Sequence, residues 1–86
     1  MVKGKTTKGF SYTISDAAMD DWELLESLTK LDSGDISAIV DASIRLLGEK
    51  QYKNLKNFLR KKGRVKASDF IQEFTEIMTS TKELKN

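Results

Sequence analysis

Cysteine, histidine and proline are all missing from the 86 residues of this chain. Without cysteine there is neither a disulfide framework nor a thiolate metal site. Without histidine the commonest general base and the commonest metal ligand are gone. No apolar run approaches the ~20 residues of a membrane span. The first residues, MVKGKTTKG, lack the apolar core of a signal peptide, so the expectation is a soluble cytoplasmic chain with no membrane partner. The five glycines are scattered and form neither GxGxxG nor GxxxxGK[ST]. Asp20 and Asp21 are neighbours, and on a helix their side chains diverge by about 100°, so they do not converge as a metal-binding or acid/base pair. The chain therefore reads as a non-enzyme, with no catalytic, cofactor-binding or metal-ligating residue to nominate.

Apolar periodicity is what the sequence does contain. Residues 1–9 hold Lys3, Lys5, Lys8, two glycines and two threonines, and read as a flexible tail. Phe10, Tyr12 and Ile14 alternate with Ser11 and Thr13, the pattern of a short extended lead-in that pins Phe10 and Ile14 on a helical core. No second strand-like run is visible, so only another copy could pair it. Ser15 or Asp16 is placed to cap a helix carrying Met19, Trp22, Leu25, Leu28 and Leu31, widened by Leu24, that runs to about Leu31. As part of that stripe Trp22 belongs to the core; exposed, it would anchor a partner. After the turn Asp32–Asp35 come two helices hinged at Gly48. Ile36, Ile39, Val40, Ile44 and Leu47 form the buried stripe of the first; Tyr52, Leu55, Phe58 and Leu59 form that of the second, which Gly63 caps. Ser68 starts a last helix with Phe70, Ile71, Phe74, Ile77 and Met78. The expected fold is all-α: one domain over residues 10–82, a small bundle of about four helices with a short extended N-terminal lead-in and a frayed end at 83–86.

Charge is segregated along the chain. Between Asp16 and Asp35 lie seven acids and one base, Lys30; between Lys50 and Lys66 lie eight bases and no acid. Asp20, Asp21 and Glu23 on one side, and Lys53, Lys56, Arg60 and Lys61 on the other, are candidates for electrostatic association between copies in a ring or spiral. Apolar positions beyond what one small core absorbs could instead grip a partner helix; Trp22, Leu24, Tyr52, Phe58, Phe70 and Met78 are the candidates.

Two resemblances bear on function. The order strand, helix, glycine turn, helix from Phe10 to Leu47 is similar to the layout of ribbon-helix-helix repressors, whose paired strands enter the major groove. The acids of the first helix would then face phosphates, which makes nucleic acid an unfavoured partner. The stretches GFSYTISDAAMDDWELLESL, SAIVDASIRLLGEKQYKNLKNFLRKKGRV, FIQEFTEI and KELKN resemble the tail assembly chaperones of long-tailed bacteriophages and prophages of Gram-positive bacteria. That resemblance implies a non-enzymatic factor of the host bacterial cytoplasm, absent from the finished virion, that needs no cofactor. It would bind the tape measure protein and, through a longer frameshifted form, the tail tube protein.

Overall fold

The computed structural model describes residues 1–81, so the expected frayed end at 83–86 lies outside the described residues. Its order of elements is β1 (Val2–Lys5), β2 (Ser11–Ile14), α1 (Asp16–Met19), α2 (Trp22–Asp32), α3 (Ala38–Leu59) and α4 (Ala67–Ser80). Four helices are present, but the all-α expectation is wrong: β1 and β2 form an antiparallel two-stranded sheet in register Val2↔Ile14, Lys3↔Thr13, Gly4↔Tyr12 and Lys5↔Ser11.

Residues 1–9 are therefore no loose tail; four of them, Val2–Lys5, build the missing partner strand. In β1 the alternation is carried by Val2 and Gly4 toward the core and by Lys3 and Lys5 toward water. Gly4 stands there because the ring of Tyr12 crosses over it: a Cβ at Gly4 would lie 2.5 Å from Tyr12 Cζ. The loop closes with Thr6 N–H donating to the Phe10 carbonyl and Gly9 N–H to the Thr6 carbonyl, both at 2.9 Å. Phe10, Tyr12 and Ile14 then enter the core beside Leu24, Ala42, Leu46, Leu55 and Ile77.

The first helical stretch is broken in two. Ser15 caps the single turn of α1 by accepting from Ala18 N–H at 3.1 Å. The chain then leaves helical geometry at Asp20 and Asp21, and Asp21 caps α2, its Oδ1 accepting from Glu23 N–H at 2.9 Å and Leu24 N–H at 3.3 Å. The break rotates the buried face of α2 onto Leu24 and Ser27, with Leu28 and Leu31 half-buried beside them. Trp22 and Leu25 are left in water at 72% and 46% exposure.

At Gly48 the backbone of α3 takes φ 81°, ψ 158°, a conformation that favours glycine, and the helix bends there. Its core face is Ala38, Ala42 and Leu46 with Ser43 and Leu47 rather than the expected isoleucine stripe; Ile36 and Val40 are half exposed. The last turn ends at Leu59. Gly63 is not its cap but belongs to a tight turn in which Lys61 and Arg64 exchange two backbone hydrogen bonds, of 2.7 and 3.0 Å. No side chain caps α4, so Ser68 does not have the capping role expected of it.

Candidate partner-binding groove

Three of the exposed large apolar residues, Leu25, Ile36 and Ile71, come together around one depression. Between α2 and α4 runs a groove of about 520 Å³. Leu25, Leu28 and Asp32 of α2 form one wall, Ile71, Phe74 and Met78 of α4 the other, and Ile36 and Ile39 close the floor. Leu25, Ile36 and Ile71 are each more than a third exposed, whereas Phe74 and Met78 are buried beneath them. Such a trough, apolar at its base and open along its length, has the form that accepts an amphipathic helix.

Of the six apolar candidates from the sequence, this geometry gathers only part. Met78 lines the groove but is buried. Trp22 does not itself line the groove; it begins α2 three residues before Leu25, on the same face of the helix. Leu24 is fully buried in the core and is removed from the list. Tyr52 packs edge-on against Phe70 at 5.8 Å with Lys56 Nζ 4.5 Å from its ring centre, and Phe58 leans on Phe10 at 5.5 Å. These four side chains form aromatic contacts that brace α3 against α4 and the hairpin, away from the groove. Ile36, Ile71 and Leu25 were assigned to the core by their spacing; only the pairing of the helices shows which side of each stripe stays open.

The charged candidates separate as well. Asp21 and Glu23 converge on Arg45, at 3.7 and 3.4 Å, and Arg45 Nε donates to Asp41 at 3.0 Å. Ser27 donates its hydroxyl to the same Asp41 carboxylate. The Ser27 hydrogen bond, then the Arg45 guanidinium, holds the Asp41 carboxyl below its ordinary value. The carboxylates in turn raise the pKa of Arg45 further, so it stays charged. Arg45 and Asp41 were missed in the sequence, although their spacing of four is the usual signal of such a pair. Asp20, Lys53, Arg60 and Lys61 are exposed, and among the described residues none of them takes part in an ion pair.

Among the described residues no group of three or more acidic, histidine or cysteine side chains could hold a metal ion, and no helix is long and apolar enough to cross a membrane. Comparison with known protein families, curated proteins and solved structures finds no match to the chain.

Proposed function

We propose that this chain is a non-enzymatic assembly factor of the phage tail chaperone type, and that it holds helical segments of the tape measure protein in the α2/α4 groove. The observation that carries the reading is the placement of Leu25, Ile36 and Ile71, three large aliphatic side chains left open around one trough. Complete burial of such a side chain is worth about 1.5–3 kcal/mol. With 37–56% of each still exposed, the three together offer roughly 3 kcal/mol. The occupant's own apolar stripe leaves water as well and adds a similar amount, against at least about 4 kcal/mol of lost freedom on association, so one groove binds weakly. Weak, repeated contacts suit a factor that must hold a long client and then release it to the assembling tail.

The ribbon-helix-helix alternative requires β2 to pair with β2 of a second copy. Here one edge of β2 is occupied by β1. The other is closed by the Gln51 amide, which accepts from Thr13 N–H at 2.7 Å and donates to the Thr13 carbonyl at 2.6 Å. A repressor ribbon would have to displace both, and the assembly reading is preferred for that reason.

Co-expression tests the proposal. The expected result is that a tape measure protein, insoluble when expressed by itself, stays soluble and co-purifies with the chain. A client that stays equally insoluble with and without the chain overturns the reading.

A further inference from the structure

We infer that the helix seated in the groove carries a lysine or arginine at one end of its apolar stripe and lies so that this base meets Asp32 while the opposite end meets Trp22. The inference rests on the reading that the groove holds a helix, and adds to it the charge and direction of the occupant.

Trp22, Leu25, Thr29 and Asp32 follow one another along α2 at spacings of three, four and three, which is one face of a helix. The last three line the groove, and Trp22 heads the same line. At 1.5 Å per residue, Trp22 and Asp32 are about 15 Å apart along the axis, nearly three turns of any helix lying beside α2. The wall thus has an aromatic end and an acidic end.

Among the described residues, Asp32 is the only ionisable side chain lining the groove. Among the described residues it takes part in no ion pair. The nearest acid along the chain, Asp35, is engaged by the backbone N–H and hydroxyl of Ser37. Lys30 projects from α2 about 160° away from Asp32, outside the trough. The facing wall of α4 presents Ile71, Phe74, Thr75 and Met78, all uncharged. An occupant with an acid at the Asp32 end meets uncompensated like charge; one with a base there gains a pair. The aromatic end favours an apolar residue, since Trp22 is exposed at 72% and its ring has surface to lose.

Trp22 is the sole tryptophan and reports on its own end of the groove. The full chain is titrated with tryptophan-free synthetic 18-residue helices that share one leucine stripe and carry Lys, Gln or Glu at one end of it, and Trp22 emission is followed. The expected result is a saturable blue shift, with the Lys peptide binding about three- to tenfold more tightly than the Glu peptide, the scale of one exposed charge pair made against one like-charge contact. The gap narrows with added salt. In the Asp32→Asn protein the three peptides should bind alike, at the affinity of the Gln peptide for the natural chain. Equal binding of all three to the natural chain overturns the inference but leaves the groove as a helix site. No shift with any peptide overturns the groove reading itself. A blue shift that grows with protein concentration alone, with dimers in sedimentation, makes a second copy the occupant and overturns the inference.

Discussion

The two faces of α4 are used in opposite ways. Toward the hairpin, Asp69, Glu73 and Glu76 follow at spacings of four and three and clasp the β1–β2 loop. Thr6 Oγ1 donates to Glu73 at 2.9 Å, the Thr7 N–H and hydroxyl donate to Glu76 at 2.6 Å each, and Lys8 pairs with Asp69 at 3.6 Å. One oxygen of the buried Glu73 is the only orphan among the described buried side-chain polar atoms. Toward α2, the same helix offers Ile71 and Thr75 to an open trough. One face spends its groups on holding the chain together; the other leaves them for something else. The difference separates a closed face from an open one within fourteen residues of helix.

The comparison makes unequal demands on substitutions. On the closed side, Ile14→Ala or Ile77→Ala empties a fully buried site and should cost about 2–5 kcal/mol in urea unfolding. On the open side, Ile71→Ala should stay within roughly 1 kcal/mol; an equal loss at Ile71 would erase the distinction. Next in size, Thr6→Val leaves the Glu73 carboxylate without its hydroxyl donor and should cost about 1–3 kcal/mol, with faster amide exchange in Val2–Lys5 as the local sign. Exchange unchanged in β1 would show that the clasp does not hold the hairpin. Asp21→Ala removes the α2 cap and should cost about 0.5–2 kcal/mol, read from the thermal midpoint.

The smallest effect is in acid. The Asp41 carboxyl is held below its ordinary 3.8, first by Ser27 and then by Arg45. Its stabilising share is therefore in place above that ordinary value and is lost as pH falls through the lower folded value. Asp41→Asn should lower the neutral plateau slightly and flatten the acid limb of a stability profile, the variant and the natural chain converging in acid. A profile that keeps its slope assigns the acid sensitivity to other carboxylates.

Much of the helical architecture could be read from the sequence, including the hinge at Gly48, where a lone glycine separates two apolar periods. The hairpin could not, because β1 disguises its alternation: Val2 and Gly4 are its inward residues, and a glycine chosen to fit under Tyr12 carries no apolar signal. The broken start of α2 was hidden for a related reason. Asp20 and Asp21 were expected to lie inside one continuous helix, yet both leave helical geometry and Asp21 accepts two amides as a cap. That break turns the α2 stripe, so Trp22 and Leu25 moved from the expected core to the surface while Leu24 went inside. The groove followed from this rotation together with the seating of α4, a tertiary fact that periodicity within one segment does not contain.

The central claim is that the open face of α4 and α2, and not the clasped face, does the binding. Its most direct test is the solubility of the co-expressed tape measure protein with a Leu25→Asp, Ile71→Asp double variant whose urea midpoint is first shown to match the natural chain. The account predicts a folded variant that leaves the client in the pellet. A folded variant that still keeps the client soluble would contradict it.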